Sequence, residues 1–457
     1  MTTLEQIQLA DTHTYSALDH HQRSLLHLFI TSYLLIVFTG AIRKWLIPSA
    51  MALYFLQDIP ILAAYVYAAR YKLYKRGLVA WSIFLISAVL IAQSLIQFSL
   101  ANLTLKVAVI GYHAYLFYLP MLVIFPLAMD AHGRATYIRW YLLLNIPMSL
   151  LAVLQSRASA GAFINRTTGG KGFGGLGVDL ARVSGTFNFA AFYAIWLSIC
   201  FALCTSEWLL PQSRRSIQHR GVLFASTLGC LVSLAVSGER GAVGTALISL
   251  AGLCAVAVLL KNYRALLMIF VLPLAFLIAI GISYLISPRM LNGFQNRITN
   301  SHNAYRTQGR ILNLMTSFIP TTSDPVGIGI GYGVDGSHAG EVGGYQFTYQ
   351  LSETDLARNY LELGVIAGIF YVSWRLFFCL GLVLVSVKLA IDNISTHALS
   401  LSLIIFGQAY VGDWTRNSTM SATQDFIAAC FILGAFYFHD EDSSRFPAGK
   451  TFLKRFL

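Results

Sequence analysis

The sequence predicts an all-α membrane protein, a polytopic bundle of about twelve transmembrane helices with two long extracytoplasmic loops. Composition is the first reason. Mean hydropathy is +0.63, and of the 457 residues 56% are hydrophobic and only 11% charged. A soluble domain of that make-up would have to turn large apolar patches toward water. The second reason is length: the apolar stretches are close to the ~20 residues a helix needs to cross a hydrocarbon core ~30 Å thick. The third is that polar residues gather in two extended segments, 156–186 and 287–358. One integral membrane domain over residues 1–457, with those segments as its first and second outward loops, is the simplest division.

Runs free of charge place spans near residues 26–42, 50–69, 78–96, 105–129, 137–155 and 187–207. Six more fall near 221–236, 241–260, 265–286, 359–387, 397–412 and 423–438. The first apolar run follows a polar stretch of about 25 residues and ends in Arg43 and Lys44 instead of a small-residue cleavage site, so it is expected to stay in the protein. An even number of spans puts both termini on one side. That side receives Arg70, Lys72, Lys75, Arg76, Arg214, Arg215, Arg220, Lys450, Lys454 and Arg455. Positive-inside counting makes it cytoplasmic and turns both long loops outward.

The six cysteines, Cys200, Cys204, Cys230, Cys254, Cys379 and Cys430, all fall in expected spans, so the pattern indicates neither a disulfide framework nor a thiolate metal site. Packing as small apolar residues is the role they suit. The net charge is +12, yet its cations are spread over short connections without an aromatic-interleaved basic stripe. Nucleic acid is therefore not an expected partner, and anionic membrane lipid accounts for most of the cytoplasmic cations.

The outward arginines need another reason. Arg157, Arg166 and Arg182 lie in the first loop, and Arg289, Arg297, Arg306, Arg310 and Arg358 in the second. A guanidinium stays charged and grips phosphate oxygens at two points, so an anionic ligand approached from outside would explain the clustering. Pairing with head groups or with Asp179, Glu341 and Glu353 is the alternative for any single one. Arg182-Val-Ser-Gly-Thr-Phe-Asn188 ends the first loop where a helix should begin, so Thr186 or Asn188 is a candidate cap and Arg182 a candidate anion ligand. Ser237-Gly-Glu-Arg-Gly241 reads as a short outward turn whose Glu239 and Arg240 pair with each other or face a site. Pro325-Val-Gly-Ile-Gly-Ile-Gly-Tyr-Gly333 is not a dinucleotide fingerprint; close approach of backbone to a ligand and plain turn chemistry both remain open. At helical spacing Asp355, Arg358, Asn359 and Glu362 share one side of the tenth span, too polar for lipid. Arg375, deeper in that span, is expected to face the interior opposite Asp58.

Taken in order, these residues resemble a known group, the bacterial Wzy-type O-antigen polymerases and O-antigen ligases. The resemblance rests on Phe38-Thr-Gly-Ala-Ile-Arg43-Lys-Trp-Leu-Ile-Pro48 with Asp58 after it, on Arg182 to Phe187, on Ser237 to Gly241, on Gly309-Arg310 before the glycine run, and on Glu353 to Gly364. It implies a GT-C-like glycosyltransferase of the bacterial inner (plasma) membrane. Such an enzyme transfers an oligosaccharide from an undecaprenyl diphosphate carrier to an acceptor sugar at the periplasmic face, with no metal or other cofactor. A chain-length regulator and a flippase are partners such a system admits. The ligases carry a histidine before the asparagine near the tenth span, whereas this chain has Arg358-Asn359 there, which favours polymerase over ligase. The expected chemistry is an inverting displacement with Glu353, or failing that Glu239, as base. Arg43, Arg182, Arg240, Arg310, Arg358 and Asn359 are the expected phosphate or glycan ligands. A lipid-linked glycan transporter is the reading from a different class, with Asp58, Arg375 and Asp425 lining its path.

Overall fold

The computed structural model describes residues 3–48, 50, 53, 55–100, 103–167, 180–210, 217–259, 263–288, 309, 312, 316, 318–320, 322–333, 355–392, 395–411 and 419–444. Regular structure among these residues is helical. In chain order the helices are α1 (Thr3–Ala41), α2 (Asp58–Tyr71), α3 (Leu78–Leu100), α4 (Leu105–Tyr115), α5 (Met121–Ile124) and α6 (Ala131–Arg157). Then come α7 (Ala190–Leu209), α8 (Ile217–Val236), α9 (Arg240–Leu259), α10 (Tyr263–Ile286), α11 (Asp355–Ile391), α12 (Thr396–Val411) and α13 (Thr419–Ser444). Among the described residues six helices are long and apolar enough to cross a membrane: His20–Leu46, Leu78–Leu100, Ala131–Arg157, Ala190–Leu209, Ile217–Val236 and Asp355–Ile391.

The outer surface is what a bilayer demands. On α3, Trp81, Phe84, Leu85, Ile91 and Leu95 form an exposed apolar stripe, while Ile83, Ile86, Leu90, Gln93, Ser94 and Gln97 face inward. Water would penalise such a stripe at about 25 cal/mol per Å² of apolar area, but hydrocarbon does not. Polarity is thus inverted relative to a soluble bundle, with amide and carboxylate side chains inside. The centre is α7, whose residues are almost all buried and which packs against α6, α8, α9, α12 and α13. Its first turn is fed directly by the segment that begins at Arg182.

Three expected spans differ in the structure. The stretch 50–69 is α-helical only from Asp58, where the 14-residue α2 begins. The stretch 105–129 is not one helix: α4 stops at Tyr115 and a turn leads to α5, followed by a 3-10 turn over Phe125–Ala128. Pro120 and Pro126 explain the breaks, since each lacks the N–H a continuous helix needs and crowds the preceding turn. The stretch 359–387 is part of a longer element that doubles back. Helix α11 runs for 37 residues, but Gly364 inside it has φ 75° and ψ 174°. Leu356 and Tyr360 pack on Val372 and Leu376, so the two arms lie side by side around Gly364. A straight helix would hold those residues ~20 Å apart. The result is a helical hairpin with arms 355–363 and 365–391.

The glycine run closes over the apex of that hairpin. Ile328 N–H donates to Leu361 O (2.9 Å), Val365 N–H to Asp324 O (2.9 Å) and Ile330 N–H to Gln97 Oε1 (2.9 Å). A Cβ on Gly327 would sit 2.3 Å from Gly364 N, and one on Gly331 2.4 Å from Val107 O. The close approach seen here is of backbone to backbone, with the protein's own hairpin and α4 as its object, and it leaves open the approach to a ligand that the sequence also allows.

Candidate functional site

The predicted residues fall into two groups. The first is built on the end of α1, where the helix loosens into a π-turn over Ile42–Leu46. Such widened turns concentrate at functional sites, because they re-aim side chains without ending the helix. Here the turn swings Lys44 inward until it is 1% exposed. Its ammonium donates to Ser184 Oγ (2.8 Å) and Gly185 O (2.9 Å). Arg43 stays beside it: with the Asn188 amide turned so that both its ends are satisfied, Arg43 Nη1 donates to the Asn188 side-chain oxygen (3.2 Å) and the Asn188 amide donates to Gly40 O (3.3 Å). Gln155 completes the clasp: its Oε1 accepts from Gly185 N–H (2.8 Å) and its Nε2 donates to Gly185 O (2.9 Å). Gly185 has φ 55°, a left-handed conformation that favours glycine.

The clasp presents Arg182, whose Nη1 lies 3.1 Å from Glu239 Oε1, with both side chains about four-fifths buried. The Arg182 segment and the Ser237–Gly241 turn therefore meet. Glu239 pairs across to Arg182, and its own N–H is held by Ser237 Oγ (3.2 Å). Arg240 is the first residue of α9. The capping roles suggested for Thr186 and Asn188 are not observed: α7 begins after Phe189 with no side-chain cap. Thr186 Oγ1 is directed at Met148 Sδ (3.4 Å), and Asn188 is engaged with α1.

The second group lies along the hairpin. Arg358 donates to Asp355 Oδ1, Arg375 to Asp355 Oδ2, and Arg358 Nε stands 3.2 Å from Glu362 Oε1. Glu362 Oε2 accepts from Gly331 N–H (2.8 Å) and Tyr115 OH (3.2 Å), and Tyr115 OH lies 2.9 Å from Asn359 Oδ1. Asp355, Arg358, Asn359, Glu362 and Arg375 are all buried, so the face expected to be too polar for lipid is turned into protein. Charges so placed in a low-dielectric interior persist only when paired, and each of these pairs is made.

Arg375 is corrected by this geometry. It does face the interior, but opposite Asp355 instead of Asp58. Asp58 belongs elsewhere: it accepts from Tyr118 OH (2.6 Å) and pairs with His113 Nε2 (2.8 Å). The reason is the fold-back at Gly364, which brings Asp355 down the hairpin to the level of Arg375. Glu353 and Arg310 lie outside the described residues, as does the side chain of Arg240.

Lys44, Gln155, Tyr115 and Asp355 join these sites without having been singled out as ligands. Lys44 carried a signal, since it sits beside Arg43 in the motif. Gln155 and Tyr115 carried none, because an isolated amide or phenol in an apolar run has no distinguishing spacing. The six cysteines are free, five of them buried. Among the described residues no group of three His, Cys, Asp or Glu side chains has metal-binding geometry. No model of a known protein family matches the chain, and no curated protein sequence resembles it significantly. The fold and these sites define the class on their own: a helical protein of membrane type with charged clusters inside the bundle.

Proposed function

We propose that the chain is a polysaccharide polymerase, a membrane glycosyltransferase that moves glycan from an undecaprenyl diphosphate carrier to an acceptor sugar. The observation that carries the reading is the Arg182–Glu239 pair, 3.1 Å apart and clasped in place by Arg43 and Lys44. An incoming pyrophosphate competes with Glu239 for the Arg182 guanidinium. Once Arg182 turns to phosphate, Glu239 is released as a carboxylate beside the leaving group. The acceptor hydroxyl oxygen then attacks the anomeric carbon from the opposite face. The bond from that carbon to the diphosphate oxygen breaks, the electron pair leaves with the pyrophosphate, and the hydroxyl proton passes to a carboxylate. Glu239 or Glu353 takes that proton; Arg43, Arg182, Arg240 and Arg310 stabilise the growing charge. Arg358 and Asn359, locked into the hairpin network, contribute to glycan binding from the second group.

The test is reconstitution of the purified chain in liposomes with a lipid-diphosphate oligosaccharide, scoring glycan length on a gel. Ladders of longer lipid-linked glycan support the polymerase. A single addition to a lipid A core identifies a ligase, and unchanged glycan moved across the bilayer identifies a transporter; either would overturn the proposal.

A further inference from the structure

The end of the bundle away from the Arg182 segment holds a cavity that the proposed transfer does not use. It measures about 170 Å³ and opens between the early part of α1, the α2–α3 connection, the 3-10 turn over Phe125–Ala128 and the end of α13. Its polar lining is His21, Gln22 and Lys75, and its apolar lining is Leu25, Leu73, Leu127 and Phe438. Among the described residues that line it, none is acidic. Helix α1 runs from this cavity to Ala41, so about 30 Å of helix separates it from the π-turn that carries Arg43 and Lys44.

The polar lining is fixed by its surroundings. Tyr67 OH lies 2.6 Å from His21 Nδ1, and the Tyr71 ring tilts against the imidazole with centroids 4.6 Å apart. That leaves Nε2 as the second polar atom of the ring. Lys75 N–H donates to Val123 O (2.9 Å), and the ammonium stands 5.4 Å from the centre of the Tyr437 ring. Arg23, Arg70, Lys72 and Arg76 stand exposed near the rim, so the local charge favours an anion. The cavity is smaller than the ~300 Å³ of an ordinary small-molecule pocket, so it suits a head group better than a whole ligand. Its rim is interfacial: Tyr71, Tyr74 and Trp81 are exposed, as rings at head-group depth are, and Leu62 and Val66 turn apolar surface outward along α2. A soluble anion gains nothing from that apolar surface or from the four apolar lining residues. An amphiphile uses both.

We propose that this cavity binds the phosphate-bearing head group of an anionic phospholipid. Lys75 and His21 are the phosphate ligands, and Leu25, Leu73, Leu127 and Phe438 receive the carbon atoms next to it. Positive-inside counting turns this end to the cytoplasmic leaflet, where anionic lipid is concentrated. A bound head group bridges α1, the α2–α3 connection and α13. The site stands whether or not the chain transfers glycan.

Native mass spectrometry of the full chain in detergent tests this without an assay of activity. The protein is titrated separately with phosphatidylglycerol, with phosphatidylcholine of the same acyl chains, and with inorganic phosphate. The wild-type chain is expected to take up one phosphatidylglycerol more tightly than either of the others. Lys75→Gln should weaken that first binding step about fivefold, the effect of one lysine beside an anionic lipid. Leu127→Trp fills the cavity without changing charge and should weaken it as well. Arg76→Gln removes an exposed cation of the same connection from outside the lining and should weaken it clearly less than Lys75→Gln. The comparison of head groups uses the native sequence, so a variant that fails to fold does not remove the test. Equal affinity for the two lipids would overturn the proposal, and phosphate bound as tightly as phosphatidylglycerol would make the cavity a soluble-anion site instead. Equal losses in Arg76→Gln and Lys75→Gln, or unchanged binding in folded Leu127→Trp, would reduce the effect to general surface attraction and overturn it too.

Discussion

Asp355 and Arg375 stand 20 residues apart in the chain and share a direct ion pair. Along a straight helix they would be ~30 Å apart. The pair is therefore a tie between the two arms of a hairpin, and Gly364 is the point that makes it geometrically possible. Everything at the second group, including the placement of Arg358 and Glu362 against Tyr115, follows from that fold-back.

Gly364→Ala tests the apex. The residue has φ 75°, and an added Cβ would lie 2.3 Å from Pro325 O. Strain and clash together should destabilise the hairpin by more than about 1 kcal/mol, seen as a lower melting temperature of the purified protein in detergent. Gly381→Ala, on the same helix with nothing within 4 Å of its Cβ, is the control and should leave melting unchanged or raise it. Equal melting of the two variants would remove the apex role.

The tie itself calls for a double-mutant cycle. Asp355→Asn leaves two buried guanidiniums short of their carboxylate, and Arg375→Gln leaves Asp355 with Arg358 alone. Each single change should cost about 3–5 kcal/mol, the usual penalty for breaking one side of a buried pair. The double variant should cost clearly less than the sum, because neither charge is then stranded. Strict additivity in chemical unfolding would show that the two groups are not coupled.

The membrane class was legible because it depends on composition, and one side of α3 carries that signal plainly in Trp81, Phe84, Leu85 and Leu95. The meeting of the Arg182 segment with Glu239 was half legible: both motifs stood out as polar islands, but nothing in one sequence says that they touch. The hairpin was not legible. Leu361-Glu-Leu-Gly-Val-Ile-Ala-Gly368 reads as an ordinary apolar span with small residues, and a glycine at φ 75° has the same letter as a helical one. That hidden turn is why the sequence alone sets Arg375 against Asp58, an acid of another expected span, and not against Asp355. Lys44 went unassigned for a related reason, since a cation after an apolar run reads as an interfacial anchor until the π-turn is seen.

Lys44→Met addresses the clasp. It removes the donors to Ser184 Oγ and Gly185 O while retaining the length of the side chain. Without them the segment carrying Arg182 loses its register, and a misplacement on the order of 1 Å at a reacting group costs up to about 10²-fold in rate. In the reconstituted transfer reaction Lys44→Met should lower kcat more than it raises KM, and Lys44→Arg should recover part of the loss. Wild-type kinetics in Lys44→Met would confine Lys44 to a role in packing.

The pair at the first group yields the sharpest expectation for chemistry. Arg182→Ala removes a charge-assisted donor to the departing pyrophosphate and should lower the transfer rate about 10²-fold, roughly 3 kcal/mol of barrier. Arg182→Lys keeps the charge but not the two-point grip, so it should recover only part of that rate. Glu239→Gln keeps the volume and removes both the base and the counter-ion. If Arg182 and Glu239 act as one unit, the double variant Arg182→Ala with Glu239→Gln should be little slower than the worse single variant, because groups that work together lose their effect together. Glycan length on a gel and the initial rate with lipid-linked substrate measure both. A folded, membrane-inserted Arg182→Ala protein that extends glycan at the normal rate would detach the pair from the chemistry.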